Sequence, residues 1–126
     1  MIVGVGTDIT DIERFQKLLE RYQDKLLLRL FTKKERFVGE TFPSRRFSFY
    51  AKRFAAKEAF AKAIGTGIGK ICSWQDVEIL NDTSGKPFIS LSSNLNFFLQ
   101  QKYPSFKCHI SLSDDKFALA FVVIEG

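Results

Sequence analysis

The chain opens on an apolar run, MIVGVGT, that reads as a buried strand ending at small residues. Helical spacing follows. Thr10 and Glu13 have capping-box spacing, so a helix is expected to begin near Asp11. Ile12, Phe15, Leu18, Leu19 and Tyr22 form its apolar stripe, with Arg14, Lys17, Arg21 and Lys25 mainly on other faces. Thr32 and Glu35 repeat the capping-box spacing before a shorter helix. Pro43 breaks the pattern, and Ser44 is a candidate N-cap for a long helix that runs to about Ile64 and stops at Gly65. DVEIL and PFISL read as two strands of a hairpin turned by NDTSGK. SSNLNFFLQQKY is a short helix capped by Ser92 or Ser93. FKCHISLS and KFALAFVVIE are two further strands that turn at DDK. Strands that arrive as hairpins predict an α+β fold: one domain, residues 1–126, with a largely antiparallel sheet packed against the long helix. The last strand is apolar on both faces, so either helices cover it twice or a partner subunit does.

Composition narrows the setting without choosing a function. A length of 126 residues suits one domain. The net charge of +5 favours an anionic partner such as nucleic acid, a phosphate-rich ligand or an acidic protein. The Phe residues lie mostly in apolar runs rather than interleaved with Arg and Lys, which argues against a nucleic-acid stacking surface. Cys72 and Cys108 have no metal or disulfide-framework spacing, and a single histidine excludes a His-rich metal site. No signal peptide and no membrane-length apolar run is visible, so a cytoplasmic protein without a membrane partner is expected.

Three places could carry chemistry. In RFAAKEAFAKAIGTGIG, the charges Lys57, Glu58 and Lys62 interrupt an Ala-rich helix. Glu58 and Lys62 are spaced to share one face, either as an exposed ion pair or as a working pair. The following GTGIG is either a helix C-cap or a loop offering backbone N–H groups to phosphate. Asp8, at the end of the first strand, is either a solvated cap or a metal ligand. With Glu58 it would make a carboxylate pair of the kind Mg²⁺ uses alongside substrate phosphates, with Lys62 as a point charge on phosphate. In FKCHISLS, alternation puts Phe106, Cys108, Ile110 and Leu112 on one face and Lys107, His109 and Ser111 on the other. The polar set is either ordinary surface or an anion site, and Lys86 in the hairpin is either a solvated turn residue or another such cation.

Their order along the chain is more specific. GVGTDITDIER, KRFAAKEAFAKAIGTGI, NDTSGKP and CHISLSDD together resemble holo-acyl-carrier-protein synthases, the small single-domain 4′-phosphopantetheinyl transferases. The likeness runs over essentially the whole chain, and the F-A-x-K-E-A block with its downstream lysine is its most specific part. It implies transfer of 4′-phosphopantetheine from coenzyme A to a serine of acyl carrier protein, in fatty acid biosynthesis, with release of adenosine 3′,5′-bisphosphate. By motif, Asp8 and Glu58 match the Mg²⁺ ligands, and Lys62 the lysine near the transferred phosphate. Arg53, Gly65, Thr66, Asn81, Gly85, Lys86, Pro87, His109 and Ser111 match positions that hold the coenzyme. Arg14, Arg21 and Lys25, placed on the first helix, resemble the basic surface that docks the acidic carrier. The resemblance also implies a homotrimer with active sites between subunits. Glu58, directly or through water, is the first choice for taking the serine proton. One position departs from the pattern: many members carry a second His where this chain has Asp114, followed by Asp115. Those acids either act through water or shape the turn. Two rivals remain: a nucleic-acid-binding module, and a silent structural subunit that would tolerate loss of Asp8 and Glu58.

Overall fold

An 18-residue helix, α4 (Arg46–Ala63), lies at the centre of the molecule. The computed structural model describes residues 1–126. Before α4 come β1 (Ile2–Asp11), α1 (Ile12–Tyr22), α2 (Asp24–Leu30) and α3 (Lys33–Gly39). After it come β2 (Val77–Asn81), β3 (Pro87–Leu91), α5 (Ser93–Lys102), β4 (Lys107–Asp114) and β5 (Phe117–Glu125). The strands form two antiparallel sheets, β1-β5-β4 and the hairpin β2-β3.

Small residues let α4 pack tightly. Ala51, Ala55, Ala56, Ala59, Ala61 and Ala63 are buried along it. β1 meets this surface with glycines: a Cβ on Gly4 would lie 2.0 Å from Ala63 O, and one on Gly6 would lie 1.9 Å from Ala59 O. The inner face of β5, with Ala118, Ala120, Val122 and Ile124, completes the core. The helix ends where Gly65 takes φ 82°.

The other side of α4 carries a buried ion pair. Lys57 Nζ donates to Glu35 Oε1 at 2.7 Å, to Leu30 O at 2.7 Å and to Trp74 O at 2.8 Å. Glu35 also accepts from Thr32 N and from Ile79 N, each at 2.8 Å. Lys57, which the motif left without a role, therefore ties α2, α3 and β2 to α4. Burial lowers the Lys57 pKa, and Glu35 opposes that shift.

Three expectations need correction. β1 continues through Thr10 because it keeps pairing with β5, so the cap of α1 is Asp11, whose Oδ1 accepts from Arg14 N at 3.2 Å. Ser44 is not an N-cap; it lies in a 3₁₀ turn, Pro43–Arg45, and α4 starts without a side-chain cap. Lys25 belongs to α2, because Gln23, at φ 46°, breaks the first helix. The expected capping box at Thr32 and Glu35 is present, Ser92 caps α5, and the DDK turn joins β4 to β5. Helices cover the β1-β5-β4 sheet once only. Its outer face leaves Val5, Ile9, Leu119 and Phe121 exposed by 44–62%.

Lys57→Met strands a buried carboxylate and is expected to lose roughly 3–5 kcal/mol of unfolding free energy in urea titrations. Lys17→Met, which removes a pair with Glu13 that is about 70% exposed on both sides, is expected to change stability by less than about 1 kcal/mol.

Candidate functional site

The Gly4–Gly6 row of β1 ends at Asp8, which points the same way as the glycines, towards α4. The close strand–helix contact therefore delivers Asp8 to the last turns of α4, where Glu58 and Lys62 face it across a cleft of about 370 Å³. Lys62 Nζ donates to Asp8 Oδ1 at 3.2 Å and to Thr7 O at 3.0 Å. Thr10 Oγ1 donates to the other Asp8 oxygen at 3.3 Å. The lysine thus bonds Asp8, and the exposed Glu58–Lys62 pair is not formed. Glu58 is half-buried, and burial raises its pKa first. The Asp8 charge raises it further, and Lys62 opposes both.

Nowhere in the chain do three or more His, Cys, Asp or Glu side chains gather as a metal cage. Asp8 and Glu58 are instead a two-carboxylate set, close enough to repel, in an open cleft. That donor set fits Mg²⁺, which takes one or two carboxylates and leaves its other positions to water and phosphate. Arg14 lines the same cleft, and Leu18 stands exposed beside it.

A second group lies around the helix. Arg53 and Glu58 are about 100° × 5 around α4, which places them roughly 140° apart. Arg53 is almost fully buried, donates from Nη2 to Asn81 Oδ1, and stacks 3.8 Å above the Phe49 ring. Its buried Nε has no partner. Burial pulls its pKa down to about 10, so it stays cationic at neutral pH. Asn81 Nδ2 donates to Gly85 O at 2.9 Å, and Asp82 Oδ1 accepts from Ser84 N and Lys86 N, which fixes the hairpin turn. Arg53, Asn81 and Gly85 line a cleft of about 390 Å³. Lys86 and Pro87 lie on the same hairpin outside that lining. Arg45, Phe49 and Lys52 join the lining and were missed in the sequence. Their signal was present: 45, 49 and 52–53 recur at helical spacing. A further cavity, about 540 Å³, shares Arg53 and Asn81 in its lining with Phe37, Phe49, Ile79 and Phe88, away from Asp8 and Glu58.

His109 and Ser111 stand apart from both clefts, on the outer face of β4, as the alternation predicted. His109 Nε2 lies 3.0 Å from Glu125 Oε1, and this bond lowers the Glu125 pKa. Of the two readings open to GTGIG, the loop takes that of a helix cap. Gly65 N bonds Lys62 O, Gly67 N bonds Ala61 O and Gly69 N bonds Cys72 O, so the loop closes the helix and does not present a row of free donors. Thr66 Oγ1 is turned to Gly67 O at 2.9 Å.

Asp8→Asn removes the charge that helps hold the Glu58 pKa up. Titration of the Glu58 carboxyl by ¹³C NMR is expected to show a lower pKa in that variant. Wild-type Glu58 binds a proton more readily folded than unfolded. Its contribution to stability is therefore present below the ordinary carboxylate pKa and is lost as pH rises through the raised one.

Known proteins resemble this chain in sequence and in fold. The family description 4′-phosphopantetheinyl transferase superfamily matches residues 4–122. A holo-[acyl-carrier-protein] synthase of Bartonella bacilliformis is 46% identical over 130 residues, covering 100% of this chain and 97% of the relative. One from Zymomonas mobilis is 43% identical over 131 residues, covering 100% and 98%. The crystal structure of the Neisseria meningitidis synthase superposes with a TM-score of 0.93 at 37% identity, covering 100% of both chains. That of the Bacillus anthracis synthase, in complex with CoA (3′,5′-ADP), gives 0.81 at 41% identity, covering 98% and 96%. The chain belongs to the 4′-phosphopantetheinyl transferase superfamily, among its holo-acyl-carrier-protein synthases.

Proposed function

We propose that this protein transfers 4′-phosphopantetheine from coenzyme A to a serine of an apo-acyl carrier protein, with Mg²⁺, and releases adenosine 3′,5′-bisphosphate. The observation that carries this reading is the convergence of Asp8, Glu58 and Lys62 on one cleft. Asp8 and Glu58 would hold the cation. When bound, Mg²⁺ neutralises pyrophosphate charge and orients it. The serine oxygen attacks the β-phosphorus; a P–O bond forms there, and the P–O bond to the departing adenosine phosphate breaks. Glu58, directly or through water, takes the serine proton. Lys62 turns from Asp8 to the phosphate and stabilises its charge.

The carrier's acidic surface would meet α1 and α2. Arg14, Arg21 and Lys25 are exposed there, with Leu18 between them as an apolar contact. The adenosine end of the coenzyme would take the Arg53 cleft, whose unpartnered Nε–H asks for an acceptor. The Asp8 and Arg53 clefts face different sides of α4, so one coenzyme would bridge two copies. The uncovered apolar face of β1 and β5 supports a homotrimer, with His109 and Ser111 carried to the junction on that same outer face. Carriers of fatty acid biosynthesis in the cytoplasm are the expected substrates. No helix is long and apolar enough to cross a membrane.

Mass spectrometry of an apo-carrier incubated with the protein, coenzyme A and Mg²⁺ is expected to show a gain of roughly 340 Da on one serine, the mass of the carried group. The gain is expected to vanish with chelator and to slow about 100-fold or more with Glu58→Gln. Phe121→Asp is expected to abolish it while converting the oligomer to monomer. Unmodified carriers across several candidates would contradict the reading.

A further inference from the structure

One contact in the Arg53 cleft has no part in the transfer described above. Lys52 lines the cleft beside Arg45 and Arg53, and its Nζ lies 3.1 Å from Asp114 Oδ1, at the end of β4. Both side chains are partly buried, at 26% and 33% exposure. Asp114 is the acid that departs from the family pattern, and its engagement with Lys52 makes it an ion-pair partner rather than a free base.

The charge pattern indicates what the cleft accepts. Arg45, Lys52 and Arg53 bring three cations to it, against the one carboxylate of Asp114. Arg53 adds a buried Nε–H donor without an acceptor. A singly charged phosphodiester would leave this surplus partly unmatched. A phosphomonoester carries about −1.5 to −2 at neutral pH and presents three acceptor oxygens. Coenzyme A has one such group, on the ribose 3′ position.

We propose that Lys52 determines specificity for the 3′-phosphomonoester of coenzyme A, with Asp114 as the resident counter-ion that this phosphate displaces. The inference rests on the coenzyme reading of the cleft. Lys52 is a binding residue, and Asp114 acts only through it. Before the coenzyme arrives, Asp114 holds the Lys52 ammonium on the cleft wall. On arrival, the phosphate offers the ammonium a higher charge, and Asp114 returns to water.

The test compares KM for coenzyme A and for 3′-dephospho-coenzyme A. Lys52→Gln is expected to raise KM for coenzyme A about 5- to 10-fold more than KM for the dephospho form. Asp114→Asn is expected to lower KM for coenzyme A about 2- to 5-fold with little change for the dephospho form. The double variant is expected to match Lys52→Gln alone, since Asp114 has no effect once the ammonium is gone. Equal shifts for both donors, no shift, or additive effects in the double variant would overturn the proposal. A purely structural tie between α4 and β4 would lower unfolding temperature without changing donor preference, which also overturns it. Wild-type protein that transfers from neither donor would instead sink the underlying function.

Discussion

β1 and α4 touch through backbone, with no side chain between them. Gly4 and Gly6 have no space for even a methyl group, because Ala63 O and Ala59 O occupy it. The rest of the site depends on this contact. A bulkier residue at either position would lift the strand and carry Asp8 away from Glu58 and Lys62. Overpacking of this kind costs about 1–3 kcal/mol where a core can adjust. Here the obstruction is main chain, which yields least. The alanines of α4 are the matching half of the device: they trade side-chain burial for proximity of two carboxylates and a lysine.

Lys57 and Glu58 show how one helix serves two purposes. Side chains of adjacent helical residues diverge by about 100°. Lys57 turns inward and holds three carbonyl or carboxylate partners from the α2 end, α3 and the segment before β2. Glu58 turns to the cleft. The buried pair stiffens the frame from which Glu58 projects. It also fixes β2, and with it Asn81, against the Arg53 side of the same helix. Both clefts therefore share one rigid support, and neither is built on a free loop.

Much of this was legible in the sequence because it is local. Alternation in FKCHISLS, the NDTSGK turn and the Thr32–Glu35 box depend on neighbours a few residues away, and the structure follows them. The Asp8–Glu58–Lys62 set was legible only through motif order, since spacing says nothing about residues fifty positions apart. The role of Lys57 and the Lys52–Asp114 pair were not legible, because each partner is chosen by tertiary packing. Thr10 lost its capping role for the same reason: pairing with β5 carries β1 past Thr7, the end of the MIVGVGT run, to Asp11, which caps α1 instead. GTGIG is open to two readings in the sequence, helix cap or phosphate loop, because glycine serves both; only the folded chain shows that the helix end uses the Gly65 and Gly67 donors itself.

The proposed reaction requires cation and coenzyme to meet in the Asp8–Glu58 cleft, with a second copy completing it through Arg53. Crystals grown with coenzyme A and Mn²⁺, examined by anomalous scattering, test this directly. The account predicts one metal peak shared by Asp8 and Glu58, next to the pyrophosphate, with the adenosine end in the Arg53 cleft of a neighbouring subunit. A bound coenzyme with no peak at those carboxylates, or one lying wholly within a single chain, would contradict it.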